Sequence, residues 1–201
     1  MNEARITPAI GVPFEGGFYA GRIIVEEKTY ALIVAPKAEG EHGDSVWSGG
    51  AESVVGALSY CDGVANTAAM AAAGSSLAEW ALDLRIGGHD DWYLPSQDEL
   101  ELCYRNLKPA DVENWCYARS GINLNSLPQG APYYAHSPIQ TDAAAFRQGG
   151  PEAFDLVWYW SSTQHASDPC YAFSQDFYDG SQYFLSTINK LRARAVRRSV
   201  I

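Results

Sequence analysis

The stretch that decides the fold is IGGHDDWYLPSQDELELCY, residues 86–104, which predicts a loop leading directly into a helix. Ser96 is a good helix N-cap and Glu99 stands three residues later, so their side chains can satisfy two backbone N–H groups in a capping box. The following apolar residues repeat at helical spacing and predict one buried face, formed by Leu100, Cys103, Tyr104 and Leu107. Pro109 marks the end of this helix or the first turn of the next.

Two later stretches predict β-strands. Residues 159–164, YWSSTQ, are rich in the β-branched and aromatic side chains that favour strands. Residues 190–198, KLRARAVRR, alternate strictly, which places Leu191, Ala193 and Ala195 on one face and Arg192, Arg194 and Val196 on the other. We expect both stretches to belong to one sheet.

These three motifs, in this order, resemble the Lcl C-terminal domain family, a branch of the C-type-lectin-like fold. EGGFYAG and YALIVAPK, at residues 15–21 and 30–37, resemble its phage-borne and prophage-borne members. The resemblance implies an α+β, C-type-lectin-like fold, with helices packed on a small antiparallel sheet and a long irregular loop. We expect residues 1–50 to form an N-terminal hairpin and loop packed on the main domain, and residues 51–201 to form that domain.

The first half of the chain predicts a hairpin and two helices. Residues 16–36 alternate as a hairpin with a charged turn at 26–28, and the glycine-rich residues 37–50 predict a loop. Residues 51–73 keep helical spacing, although Gly56 and Gly63 weaken the pattern and we expect a break near Asp62. A second helix is predicted over 76–86, ending at Gly87.

The second half predicts a short helix, a long irregular segment and four strands. The helix covers 109–119, and the strands cover 157–163, 170–177, 181–186 and 192–200. Residues 120–151 lack periodicity but contain several aromatics, which indicates an ordered, functional loop rather than a disordered one. Between the second and third strands, Asp179-Gly180 predicts a type I′ turn.

Composition narrows the classes of function. The 201 residues carry a formal net charge of −10, which argues against a nucleic-acid or polyanion binder. No run approaches the ~18 apolar residues of a membrane helix, and residues 1–11 lack a basic start followed by an apolar stretch. We therefore expect neither membrane insertion nor a signal peptide.

The four cysteines and the His89-Asp90-Asp91 cluster suggest no metal site. No CxxC spacing is present, and we expect Cys61, Cys103, Cys116 and Cys170 to be reduced and buried, with a bridged pair as the alternative. Asp91 before Trp92 is expected to orient the loop. The loop and strand motifs with which sugar-binding C-type lectins hold calcium are missing, so we expect no metal and no cofactor.

No catalytic residues are predicted. Ser161, Ser162 and Thr163 lie near His165, but adjacent strand residues face opposite ways and no Gly-x-Ser-x-Gly elbow surrounds them. The basic C-terminal residues are expected to pair with carboxylates and include Lys190, Arg192, Arg194, Arg197 and Arg198.

The aromatic residues indicate recognition. Tyrosine combines contact area with a polar group, so we predict ligand binding by Tyr133, Tyr134, His136, Tyr171, Gln175, Tyr178, Asp179, Gln182 and Tyr183. With the resemblance, this favours a non-catalytic recognition or structural module, a virion-associated tail-tip or receptor-binding protein assembled in the bacterial cytoplasm. Expected partners are other virion proteins or a host-surface protein or glycan, with a homo-oligomer left open. The alternative is an oxidase or modifying enzyme of the formylglycine-generating type, which shares the superfold.

Overall fold

The computed structural model describes residues 7–50, 52–117 and 119–201. Its strands are β1 Pro13–Phe14, β2 Gly17–Val25, β3 Lys28–Val34, β4 Glu41–Ser45, β5 Trp158–Gln164, β6 Tyr171–Asp176, β7 Gln182–Ser186, β8 Leu191–Arg194 and β9 Val196–Val200. Its α-helices are α1 Lys37–Gly40, α2 Gly63–Ala72, α3 Ser76–Asp83 and α4 Gln97–Leu107. The α+β class predicted from the sequence is confirmed.

The strands form two sheets. One has the order β1-β2-β3-β9 and the other β4-β8-β5-β6-β7, so β7 lies at an edge of the larger sheet. The pairs are antiparallel except for β5 with β8, which run parallel. The predicted N-terminal hairpin is present as β2 and β3, and β3 pairs with β9 near the other end of the chain.

Helix α4 begins as its sequence predicts. The Ser96 side chain accepts a hydrogen bond from the Glu99 N–H, and Glu99 Oε2 accepts one from the Ser96 N–H at 2.8 Å, which completes the capping box. Glu99 also accepts from the Tyr93 hydroxyl at 2.6 Å and from the Gly63 N–H at 3.1 Å, which ties α4 to the start of α2. Burial is the largest influence on the Glu99 carboxyl and raises its pKa.

The main core lies between α4 and the two sheets. The apolar residues predicted on the helix face are all buried there, and they are Leu100, Cys103, Tyr104 and Leu107. The ring of Phe177 stacks on that of Phe154 at a centroid distance of 4.0 Å and meets the Tyr104 ring edge-on. A second cluster joins α2 and α3 to Trp160 and Ala172 on the larger sheet.

The early helices are shorter than predicted. Over the predicted helix 51–73, whose first residue lies outside the described part, only Gly63–Ala72 is helical. Gln164 holds the segment before this helix in a non-helical conformation. Its side-chain Oε1 accepts from the Val54 N–H at 2.7 Å, and its backbone N–H donates to the Ala57 carbonyl at 2.7 Å. The helix predicted over 76–86 ends at Asp83.

Two further predictions were wrong. The loop predicted at 37–50 contains α1 and β4, the latter paired with β8. The helix predicted over 109–119 is not formed by the described residues there, since the Asn114 N–H donates to the Ala135 carbonyl and the Trp115 N–H to the Asp179 carbonyl, both at 2.8 Å. These partners lie far along the chain, and they replace the local bonds of a helix.

The C-terminal stretch was predicted as one strand in one sheet and is divided between two sheets. Residues of β8 pair with β4 and β5, whereas β9 pairs with β3. At the junction, the Ala195 N–H donates to the Gly40 carbonyl at 2.8 Å and the Ala195 carbonyl accepts from the Ala35 N–H at 3.0 Å.

The type I′ turn predicted between β6 and β7 is not formed there, and its positive φ values occur in the β2–β3 hairpin instead. Asp179 is not among the residues with positive φ, so the β6–β7 connection is not type I′, and Gly180 alone has a φ of 80°. In the β2–β3 hairpin, by contrast, Glu26 and Glu27 have φ values of 49° and 65°, the sign that a type I′ turn requires at both central residues.

The long irregular segment after α4 is ordered by buried carboxylates of that helix. Glu101 accepts hydrogen bonds from the Tyr133 hydroxyl at 2.8 Å, from Asn123 Nδ2 at 2.7 Å and from Arg105 Nε at 2.9 Å. Burial raises the pKa of Glu101, and these three donors oppose that shift. The segment therefore rests on a polar network, and the one helical element of its described residues is a short 3-10 helix, Ala144–Phe146.

Candidate functional site

An aromatic groove separates the segment after α4 from the β6–β7 hairpin. It has a volume of about 520 Å³ and is lined by Gln97, Trp115, Tyr117, Arg119, Trp158, Phe173, Ser181, Gln182, Tyr183 and Phe184. A larger hollow of about 680 Å³ lies beside residues 137–143, but none of the described residues that line it is aromatic. Because recognition sites concentrate aromatic contact area, we take the groove as the candidate site and call it the aromatic groove.

One wall of the groove is held by Asn114. Its Oδ1 accepts from the Tyr104 hydroxyl at 2.8 Å and from Lys108 Nζ at 2.9 Å, while its Nδ2 donates to the Pro138 carbonyl at 2.9 Å. Burial lowers the pKa of Lys108, whose Nζ is surrounded by neutral acceptors. Asn114 thus fixes the backbone from which Trp115 projects.

The opposite wall is the β6–β7 hairpin. Phe173 and Phe184 are paired across the two strands, and the Tyr183 ring stacks on Phe184 at 4.7 Å with an interplanar angle of 12°. Gly180 packs so closely on Tyr104 that a Cβ there would lie 2.5 Å from the ring. Gln182 Oε1 accepts from the Gly121 N–H at 3.0 Å and joins this wall to the irregular segment.

Arg119 lines the groove, and its positive charge is balanced by a carboxylate. It forms an ion pair with Asp98 at 3.1 Å, and its guanidinium lies 4.9 Å from the centre of the Tyr60 ring. Burial is the largest influence on the Asp98 carboxyl and raises its pKa, while bonds from Asn125 and Arg119 act in the opposite direction. The groove therefore presents aromatic faces with little unbalanced charge of its own.

Only part of the predicted site lies at the groove. Gln182 and Tyr183 line it, and Tyr171 reaches its margin by an edge-on contact with Phe184 at 5.5 Å. Tyr178 is exposed and Asp179 half-buried in the adjoining turn, where the Asp179 carbonyl holds the Trp115 N–H.

The other predicted site residues lie elsewhere. Tyr133 is buried against Tyr104 and hydrogen-bonded to Glu101, and Gln175 is buried with its Nε2 donating to the Gly180 carbonyl at 2.7 Å. Neither is accessible to a ligand. Tyr134 and His136 are exposed on the irregular segment but do not line the groove.

Sequence reasoning missed most of the groove, since only Gln182 and Tyr183 of its ten described lining residues were predicted. Trp115 and Tyr117 fell in the predicted helix, and Trp158, Phe173 and Phe184 were not selected as site residues. One signal was available, because residues 114–117 read NWCY and place two large aromatics two positions apart, a spacing that suits extended chain with both side chains on one face.

The sequence motifs for which no catalytic or metal-binding role was predicted have structural roles. Asp91 accepts from Arg197 Nε at 2.6 Å, and this bond and the Arg197 charge lower its pKa although burial, the largest influence, acts to raise it. Ser161, Ser162 and Thr163 are buried in β5. The prediction that the basic C-terminal residues pair with carboxylates is confirmed for Arg192, Arg194, Arg197 and Arg198, whereas Lys190 is exposed and pairs with no carboxylate of the described residues. Among the described residues, no group of three or more His, Cys, Asp or Glu could hold a metal ion.

The cysteines are free thiols, as expected, but their burial differs from the prediction. Cys103 is buried and Cys61 half-buried, whereas Cys116 and Cys170 are exposed. Burial raises the pKa of both Cys61 and Cys103, which disfavours the thiolate that acts as a nucleophile.

Over the described ranges, no helix is long and apolar enough to cross a membrane.

Comparison with known proteins identifies the family of the chain. No curated protein matches the chain. A family model described as the Lcl C-terminal domain matches residues 37–197, which includes both walls of the groove and all of the larger sheet. The chain therefore belongs to the Lcl C-terminal domain family.

Proposed function

We propose that this chain is a non-catalytic recognition module that binds a partner in the aromatic groove. The observation that carries the proposal is the exposure of three groove side chains: Trp115 is 53% exposed, Tyr117 70% and Tyr183 55%. Single exposed aromatics are ordinary on protein surfaces, but a cluster around one concavity is typical of a binding site. Binding would remove this apolar area from water.

We further propose a C-type-lectin-like fold and a place in a phage or prophage virion. The fold is supported by the pairing of the N-terminal hairpin with the last strand and by the long irregular segment packed on α4. The virion setting rests on the resemblance of residues 15–21 and 30–37 to phage-borne members of the family. In that setting the partner is another virion protein or a molecule on the host surface, as for a tail-tip or receptor-binding protein.

The test is a double substitution in the groove, Trp115→Ala with Tyr183→Ala. Truncation of aromatic anchors at an interface costs ~2 kcal/mol or more each, so the variant should lose attachment to host cells, or incorporation into particles. Both side chains are about half exposed, and the thermal midpoint should therefore change little.

The matched control is Tyr134→Ala with Ile188→Ala, two exposed side chains outside the groove with exposures of 69% and 65%. The control should attach and assemble like the wild type. Retained attachment and incorporation by the groove variant would remove the groove from consideration, and absence of the chain from purified particles would contradict the virion assignment.

A further inference from the structure

The aromatic groove contains polar groups that lack partners. Nε of Arg119, Nε2 of Gln182 and Oε1 of Gln97 are buried and form no hydrogen bond. The indole N–H groups of Trp115 and Trp158 also find no acceptor in the described part of the chain. Of the four other tryptophans, three have indoles that donate to a backbone carbonyl, Trp47, Trp92 and Trp160, whereas Trp80, outside the groove, finds no acceptor in the described residues.

Of these five unpaired groups, four are hydrogen-bond donors and one is an acceptor. The carboxylate of Asp98, which pairs with Arg119, is already bonded to Arg119 at 3.1 Å and to Asn125 at 2.7 Å. Tyrosine and serine hydroxyls around the groove can take either role and do not change the balance. The groove therefore suits a ligand that is rich in acceptors and poor in donors.

The excess of unpaired donors in the groove distinguishes two classes of ligand, saccharides and proline-rich segments. Each hydroxyl of a sugar carries a proton, so a saccharide would bring several donors to a groove whose described lining offers one unpaired acceptor, Gln97 Oε1. A proline residue has a carbonyl acceptor and no N–H. Proline-rich segments also dock in aromatic-lined grooves as preformed polyproline II helices, which lose little conformational entropy on binding.

The net charge of the chain gives a second criterion for the ligand. The chain has a net charge of −10, and Arg119, the one cation among the described residues that line the groove, is paired with Asp98. A partner segment with basic residues would be attracted by the long-range field without meeting an unpaired cation in the groove.

Resting on the recognition function proposed above, we propose that the aromatic groove binds a proline-rich segment of a partner protein, in the polyproline II conformation and flanked by basic residues. Prolyl rings pack between Trp115 and Tyr183 on the two walls, and the backbone carbonyls of the segment accept from the indole N–H groups of Trp115 and Trp158, which are not buried.

The probe is a fluorescein-labelled decaproline with one arginine at each end, and binding to the full chain is measured by fluorescence anisotropy. The matched control peptide replaces the prolines by alternating glycine and serine and keeps both arginines. An uncharged glucan hexasaccharide is added as a competitor. The protein variants are Trp115→Ala, Trp115→Phe, which keeps a ring but removes the N–H, and Tyr134→Ala, an exposed aromatic outside the groove.

The proline probe should bind roughly tenfold more tightly than the glycine-serine peptide. Trp115→Ala should weaken binding roughly tenfold or more and Trp115→Phe by a smaller factor, with Tyr134→Ala unchanged. Equal binding of the two peptides, or displacement of the proline probe by the glucan at comparable concentration, would overturn the proposal.

Failure of the ligand class is distinguishable from failure of the function. If the proline probe does not bind while Trp115→Ala with Tyr183→Ala still abolishes attachment or incorporation, the ligand assignment is wrong and the recognition function stands. If that double variant also behaves like the wild type, both are wrong.

Discussion

Asn114→Ala is the substitution that most directly tests how the candidate site is held. Asn114 is 6% exposed, and its side chain joins two residues of the core to the irregular segment. It accepts from Tyr104 and Lys108 and donates to the Pro138 carbonyl, with all three distances between 2.8 and 2.9 Å. No other side chain in the described segment bonds to both of these core residues.

The expected cost follows from those contacts. Each net hydrogen bond contributes about 1 kcal/mol, and a buried donor left without a partner costs about 1 to 3 kcal/mol. Alanine would leave the Tyr104 hydroxyl unpaired, whereas Lys108 would keep its bond to the Pro138 carbonyl at 3.2 Å. We therefore expect Asn114→Ala to lower the free energy of unfolding by about 3 kcal/mol.

Urea denaturation followed by tryptophan fluorescence measures this loss, because Trp115 adjoins the substituted residue. The control is Asn189→Ala, at an exposed asparagine after β7, which should change the free energy of unfolding by less than about 0.5 kcal/mol. A cost below about 1 kcal/mol for Asn114→Ala would show that the irregular segment does not depend on this residue.

Three further predictions concern the fold. Replacing Glu26 by Asn together with Glu27 by Gly should stabilise the chain by about 1 kcal/mol in denaturant, because both positions have positive φ; a loss of stability would contradict the type I′ turn. Ser96→Ala should cost ~1 kcal/mol and Leu100→Ala ~2 to 5 kcal/mol, and equal costs would contradict the packing of α4. Burial raises the pKa of Glu99, so the folded chain binds more protons than the unfolded chain between the two pKa values and loses stability as pH rises through that window. Glu99→Gln cannot titrate, and melts at increasing pH from about 4 should show it gaining on the wild type; a constant difference would contradict the shift.

Features that depend on neighbouring residues were predictable from the sequence. The α4 capping box requires only Ser96 and Glu99, and the β2–β3 hairpin requires only its own alternation. The division of the last strand was not predictable in this way. Alternation continues unbroken through Ala195, and the change of sheet is set by its bonds to Gly40 and Ala35, which are distant in the chain.

The same difference between contacts with sequence neighbours and contacts with distant residues explains why only some of the predicted site residues lie at the groove. Residue type identified aromatics suited to recognition, but it could not separate Tyr133 from Tyr183. The Tyr133 hydroxyl has Glu101 as a buried acceptor, which stabilises it inside the molecule, whereas the Tyr183 ring lies half exposed on an edge strand. Whether a tyrosine is core or surface is decided here by a partner from another element.

The aromatic groove itself is a product of tertiary contact. Its two walls come from the segment after α4 and from the β6–β7 hairpin, and they are joined by the Trp115 N–H bond to the Asp179 carbonyl and by the Gly121 N–H bond to Gln182. Because β7 belongs to the larger sheet while the other wall depends on Asn114, loosening of the irregular segment should open the groove before it unfolds the sheet. Asn114→Ala should therefore weaken groove binding even at urea concentrations where β-sheet circular dichroism is unchanged, and loss of both signals together would show that the two walls unfold as one unit.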